Sequence, residues 1–190
     1  VLDHGTQLDH PDLNVSSKSY DTETGRSPSQ IWGNHGTACS GIISAKTNNN
    51  LGVAGIAPNC PVMSISNQLM GTSDAPQKRA DGCNWAWRNG ASVISNSWRS
   101  STFSELLEDA IQSAMTNGRN GLGCVVTFSA GNYDSNTVGY PARSLPDIIV
   151  VGALSLSGKR KSSTTIDNEG WWGSDYGTQL DIMAPGVLIY

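Results

Sequence analysis

The sequence predicts an α/β domain with a mostly parallel sheet and helices on both faces. Short apolar runs alternate with helical patterns along the chain, which is the signature of parallel strands joined by crossover helices. Two of those runs, Cys124-Val125-Val126-Thr127-Phe128 and Ile148-Ile149-Val150-Val151, are nearly continuous apolar stretches, as strands covered on both faces read. Residues 103–117 place Leu106, Leu107, Ala110, Ile111, Ala114 and Met115 at helical spacing.

The elements follow in order. An apolar strand ends at Asp3, where Gly5 lets the backbone turn away. A helix opens near His35 and runs through Ile42 and Ile43 to Lys46. A strand is expected at 62–69, and a helix at 77–89, where Trp85 and Trp87 interrupt a polar stretch. Strand 92–98 comes next, then helix 103–117, with Thr102 and Glu105 as its capping box and Gly118 closing it. Strands 124–129, 148–154 and 180–183 complete the sheet. Residues 21–30 read as a surface loop and 157–176 as a longer irregular segment, with Lys159, Arg160 and Lys161 on a solvated turn.

A chain of 190 residues supports one domain over 1–190 with a substantial core. A net charge of -4 offers no basic footprint for nucleic acid, and no apolar run reaches membrane-spanning length. The chain opens inside a strand, with neither initiator Met nor signal peptide, so truncation at both ends is expected. Cys39, Cys60, Cys83 and Cys124 allow two disulfides or none, and their spacing excludes a zinc knuckle. Cys39 and Cys124 lie in apolar elements and read as buried thiols. For Cys39 a second expectation stands beside that one: four residues after His35, it shares that residue's helical face and its thiol should lie near the imidazole.

Functional groups of open parallel sheets gather at the carboxyl ends of the strands. Asp3 ends the first strand, His35 opens a helix, and Asn132 follows strand 124–129 behind a turn at Gly131, so three distant residues converge on one rim. Each is surrounded by a longer block. Val1-Leu2-Asp3-His4-Gly5 is followed by His35-Gly36-Thr37-Ala38-Cys39-Ser40-Gly41 and Gly52-Val53-Ala54-Gly55-Ile56-Ala57-Pro58. Ser129-Ala130-Gly131-Asn132 leads to Gly139-Tyr140-Pro141-Ala142 and Asp181-Ile182-Met183-Ala184-Pro185-Gly186. In order and across essentially the whole chain, these blocks resemble the subtilisin-like serine proteases.

The resemblance implies that family's three-layer sandwich and a serine endopeptidase acting through an acyl-enzyme. It implies that Asp3 orients the imidazolium of His35, that His35 moves the serine proton, and that the Asn132 amide donates to the oxyanion. By resemblance, Ser97, Trp98 and Arg99 on one side and Ser129, Ala130 and Gly131 on the other pair with an extended substrate peptide. Gly139 matches the floor of the pocket for the residue before the cleaved bond. Arg99 departs from the pattern, where glycine is usual; it points to solvent or favours acidic substrates, the first being expected. Asp12 and the run Thr47-Asn48-Asn49-Asn50-Leu51-Gly52-Val53 match the family's calcium loop. Oxygens of Asp12, Thr47, Asn49, Leu51 and Val53 would supply most of the six to eight that calcium takes, and the alternative is an Asn-rich turn needing no ion. The parent is expected to be secreted and made with a pro-segment, its partners being peptide or protein substrates.

The nucleophile is absent from these blocks. Gly71-Thr72-Ser73-Asp74-Ala75-Pro76 resembles the family's serine motif, but it has one residue too few before the proline and lies upstream of Asn132. Polar Gln77-Lys78-Arg79 follows, where an apolar helix is required. Ser73 is therefore read as a loop residue and the nucleophile as lying beyond Tyr190, which leaves these residues alone inactive. Two other readings stand beside this one: a subtilisin-like binding domain without catalysis, and a metal-dependent hydrolase using Asp3, His4, Asp9, His10 and Asp12. A dinucleotide site fails, because Gly52-Val53-Ala54-Gly55 precedes a strand instead of opening a helix.

Overall fold

A computed structural model describes residues 1–189. Its seven-stranded sheet runs β2-β3-β1-β4-β5-β6-β7, and every pairing is parallel. The strands are β1 (Leu2–Asp3), β2 (Val15–Asp21), β3 (Val62–Ser66), β4 (Val93–Asn96), β5 (Val125–Ser129), β6 (Ile149–Leu154) and β7 (Ile182–Pro185). The helices are α1 (His35–Ser44), α2 (Ala75–Arg88) and α3 (Glu105–Gly121). No helix is long and apolar enough to cross a membrane among the described residues.

Side-chain parity along the strands divides the sheet into two faces. Ile94, Val126, Phe128 and Val150 point into the core with Ala80, Cys83, Leu107, Ile111 and Ala114 of α2 and α3. The neighbours of opposite parity, Ser95, Thr127, Ser129 and Val151, line a cavity with Ile42 of α1, so α1 lies on the other face. That second face is covered only in part: Val93, Val125, Ile149 and Ile182 begin their strands exposed on it.

Four local features depart from the sequence reading, the first being a strand for which that reading had no element. Strand β2 reads as polar, with three serines and a lysine in seven residues. It is an edge strand, where polar and lysine residues are the normal defence against further pairing, so no apolar alternation marks it. The expected loop at 21–30 begins with a buried anchor: Asp21 accepts hydrogen bonds from Trp32 Nε1 (2.9 Å), Ser66 Oγ (2.8 Å) and the Thr24 amide (3.0 Å). The cap of α3 is Ser104, whose Oγ accepts from the Leu107 amide at 3.3 Å, because Glu105 is already the first helical residue. The helical conformation ends at Gly118, where the glycine was expected.

The basic turn is the fourth. Lys161 is fully buried and donates to the carbonyls of Ser162 (2.8 Å) and Glu169 (2.9 Å), with the sealed Asp167 carboxylate at 3.3 Å. Arg160 pairs with Asp134 at 2.6 Å. Two of the three basic residues thus fasten the 157–176 segment instead of solvating it. A buried charge is tolerated only where paired and hydrogen-bonded, and Lys161 is both.

Candidate active site

Because all strands run the same way, Asp3, Asn96 and Ser129 end on one edge of the sheet. Helix α1 is tied against the turn that follows β1. The Thr6 amide donates to Ser64 Oγ (2.8 Å), the Thr6 and Ser40 hydroxyls share a 2.6 Å hydrogen bond, and the Gln7 amide donates to Thr37 Oγ1 (3.0 Å). Gly36 lies so close to Gly5 that a Cβ there would collide with the Gly5 carbonyl. This close approach delivers His35, the first residue of α1, to Asp3.

His35 Nδ1 stands 2.8 Å from Asp3 Oδ1 and 2.9 Å from Oδ2. Asp3 is sealed from solvent, while about half of the imidazole remains exposed. The Asp3 hydrogen bond, and after it that to Cys39, raises the His35 pKa to about 10 against the opposing effect of burial. Cys39 Sγ lies 3.8 Å from Nδ1 and 3.9 Å from Nε2, and 3.7 Å from Ser97 Oγ. Cys39 is therefore half-buried beside the imidazole, as its helical spacing from His35 implies, and not the fully buried thiol of the other reading. Cys124 is buried, Cys60 is exposed and Cys83 is buried, and all four are free thiols.

The cavity on the second sheet face, about 510 Å³, opens to the rim at Ser97, Ser129, Ala130, Gly131 and Asn132. The turn carrying Asn132 is braced by a residue that sequence reasoning missed. Asp175 Oδ1 accepts from the amides of Tyr133 (2.8 Å) and Ser135 (2.9 Å), and the Asp175 amide donates to the Gly131 carbonyl (2.8 Å). Gly131 adopts a φ of +118°, and a Cβ on it would collide with Asp175 Oδ2. Gly139 closes the loop, its amide donating to the Ala130 carbonyl at 3.0 Å.

On the facing strand end, Trp98 turns into the core, where its indole donates to the Leu2 carbonyl (3.1 Å) and meets Phe128 edge-on. Only its backbone remains for the rim. Arg99 lies over Gly139, with its guanidinium 4.3 Å above the Tyr133 ring and 3.8 Å from Asp175 Oδ2. Ser73 sits in the exposed turn before α2. Among the described residues no serine hydroxyl hydrogen-bonds to His35, whose side-chain partners are Asp3 and Cys39.

The expected calcium loop and Asp12 do meet. Asp12 is buried, its Oδ1 accepts from Asn49 Nδ2 at 2.6 Å, and its Oδ2 accepts from the Val53 amide at 3.3 Å. Asn49 Oδ1 accepts from the Leu51 amide at 3.1 Å. His4 and His10 do not join Asp3 in a ligand cluster; the one group of possible ligands among the described residues is Asp3, His35 and Cys39.

Known proteins resemble this chain in sequence and in fold. Subtilisin NAT of Bacillus subtilis subsp. natto is 34% identical over 195 aligned residues, which cover all of this chain and 46% of that protein. Subtilisin of Bacillus pumilus is also 34% identical, over all of this chain and 64% of its own length. The chain thus spans about half to two thirds of the curated relatives it matches. The solved structure of MycP1 with its N-terminal propeptide removed superposes with a TM-score of 0.73 at 22% identity, over 97% of this chain and 62% of that one, and shares the fold. The model of the subtilase family, Peptidase_S8, matches residues 1–189, and the chain belongs to that family.

Proposed function

We propose that the chain carries the acid, base and oxyanion donor of a serine endopeptidase whose nucleophile lies outside residues 1–189. The observation that carries this reading is the Asp3–His35 pair. A sealed carboxylate bound to one imidazole nitrogen fixes the ring, favours the tautomer with the proton on Nδ1 and stabilises the imidazolium that proton transfer creates. His35 Nε2 is then the atom that takes the proton of an attacking serine and returns it to the leaving amine. Asn132 donates to the carbonyl oxygen as it becomes an oxyanion. The acyl-enzyme is cleared by water activated on the same imidazole.

The open sheet face supports a nucleophile supplied from elsewhere. Parallel sheets are normally covered on both sides, yet Val93, Val125, Ile149 and Ile182 are exposed on the face that α1 covers only in part. A further apolar segment packed there would stand directly behind the rim. Peptides or proteins are the substrates in this reading, and the parent is secreted and carries a pro-segment, as the named propeptide of MycP1 suggests by analogy.

Calcium belongs to the same reading. Asp12 brings a buried carboxylate to the 47–53 loop, and a Cβ on Gly52 would fill the space against Asp12 Oδ2. An ion there would displace the Asn49 Nδ2 and Val53 N–H donors that the carboxylate now accepts from. Asn49 Oδ1 and the main-chain oxygens of Thr47, Leu51 and Val53 would be its further ligands. The ion would neutralise Asp12 and fix the 47–53 loop.

A serine-directed fluorophosphonate tests the assignment. The full-length protein takes the label and His35→Ala loses it, while residues 1–190 alone take none. Labelling of Ser73 in the short chain, or no labelling of the full-length protein, overturns it.

A further inference from the structure

We propose that Arg99 sets the substrate class of this site: peptides with a carboxylate side chain on the residue immediately before the cleaved bond. The inference rests on the peptidase reading above.

Arg99 follows β4 on the rim that faces Ser129–Gly131 across the cleft. A Cβ built on Gly139 would lie 3.1 Å from the Arg99 Cβ and 3.6 Å from its Cδ, so the arginine stem crosses directly over Gly139. The guanidinium then stacks on Tyr133, the residue after Asn132, at 4.3 Å from the ring centroid. A stacked guanidinium keeps its plane fixed and its N–H groups free at the edges. Its one carboxylate neighbour among the described residues is Asp175, at 3.8 Å, too long for a hydrogen bond. Asp175 Oδ2 is buried and has no hydrogen-bond partner, so it holds the arginine by charge alone and consumes none of the five N–H donors.

The result is a guanidinium with one edge turned to a buried anion and the other open, the side chain being 46% exposed. Asp175 is sealed beneath Gly131 and cannot reach a ligand, so the charge that a substrate meets is that of Arg99. Arginine accommodates a carboxylate along a planar edge in a bidentate manner. By the resemblance that makes Gly139 the floor of the pocket for the residue before the cleaved bond, a carboxylate on that residue meets the open edge, whereas an ammonium there meets repulsion. Half exposure and the opposing field of Asp175 limit the gain to about that of one charge-assisted hydrogen bond, roughly tenfold in kcat/KM.

The test uses the full-length protein and three tetrapeptide nitroanilides that differ only in the last residue: Glu, Gln or Lys. The expected order is Glu above Gln above Lys, with a Glu:Gln ratio of about tenfold that shrinks in 1 M salt. In Arg99→Gln the ratio falls to about one, and in Arg99→Lys, which keeps the charge and loses the fork, it is intermediate. Because the ratio is internal to each preparation, it does not depend on how much protein folds. Should Arg99→Gln fail to fold with Asp175 unpaired, Arg99→Gln with Asp175→Asn replaces it. A wild-type ratio of one or less, or an unchanged ratio in the variants, overturns the assignment. Fluorophosphonate labelling with Glu cleaved no better than Gln sinks Arg99 alone. No labelling and no turnover sinks the peptidase reading, and this inference with it.

Discussion

His35 Nδ1 lies 2.8 Å and 2.9 Å from the two oxygens of an Asp3 carboxylate that has no contact with solvent. A sealed anion beside a half-exposed imidazole stabilises the charged form of the ring more than solvent does, which is why the pKa rises to about 10. The same preference stabilises the imidazolium once a proton has been taken up, but only a ring without a proton on Nε2 can take one, so in the proposed reaction activity should rise with pH towards that value.

The first prediction concerns this titration. The folded pKa lies above the value of about 6.5 in an unfolded chain, so the pair contributes its full stability below pH 6.5 and loses it as pH rises through about 10. Solvent screening of the half-exposed ring limits the loss to about 1 kcal/mol. NMR should show the His35 ring titrating well above 6.5, and Asp3→Asn should return it towards that value. Stability measured from pH 6.5 to 10 should fall more steeply in wild type than in His35→Ala, in which the buried thiols and the N-terminal amine still titrate. A wild-type midpoint at or below 6.5 would mean that Asp3 does not stabilise the imidazolium.

The second prediction concerns Cys39, one helical turn from His35 and within 3.9 Å of both ring nitrogens. A mercurial on Cys39 would crowd the base, so mercurials should inhibit the full-length enzyme and Cys39→Ala should remove the sensitivity. Burial pushes the Cys83 thiol up to about 12 and raises that of Cys124, which leaves exposed Cys60 as the competitor. Persistent inhibition of Cys39→Ala, lost in Cys60→Ala, would transfer the effect to Cys60.

Much of this architecture was legible in the residues, and the exceptions share a physical cause. Strands β5 and β6 announce themselves as apolar runs and α3 through its helical period, whereas α2 is a polar stretch interrupted by Trp85 and Trp87. Strand β2 gives no such signal, because an edge strand packs little and spends its side chains on solubility. Lys161 looked solvated because a run of basic residues says nothing about an acid six residues later folding back onto it. Asp175 left no local signal at all, since its work is done on backbone amides 40 and 42 residues away. Asp3 and His35 were legible because they end a strand and open a helix, and Asn132 because it follows the glycine turn after β5.

The third prediction tests the loop at Asp12. Calcium binding only to the native state would raise stability by RT ln(1 + [L]/Kd), about 2.7 kcal/mol at a hundredfold excess over Kd. Melting temperature should rise with calcium and fall with chelator in wild type, and Asp12→Ala should abolish the response. A wild-type melting temperature indifferent to both would leave the Asp12–Asn49 hydrogen bond as the loop's own closure.

The last prediction separates binding from chemistry at Asn132. Its turn is fixed on both sides by Asp175, which accepts from Tyr133 and Ser135 and donates to Gly131, so the Asn132 backbone is held independently of its side chain. A substitution that changes only the side chain should therefore leave the rim in place. If the amide meets the substrate oxygen only once that oxygen is charged, removing it raises the barrier without weakening the ground-state complex. Asn132→Leu in the full-length protein should lower kcat by about 10²–10³ with little change in KM, the size of loss known for the oxyanion donor of a subtilisin and carried over to this relative. His35→Ala should cost more, because it removes the base. A raised KM with unchanged kcat in Asn132→Leu would place the residue in substrate binding and leave the oxyanion without its donor.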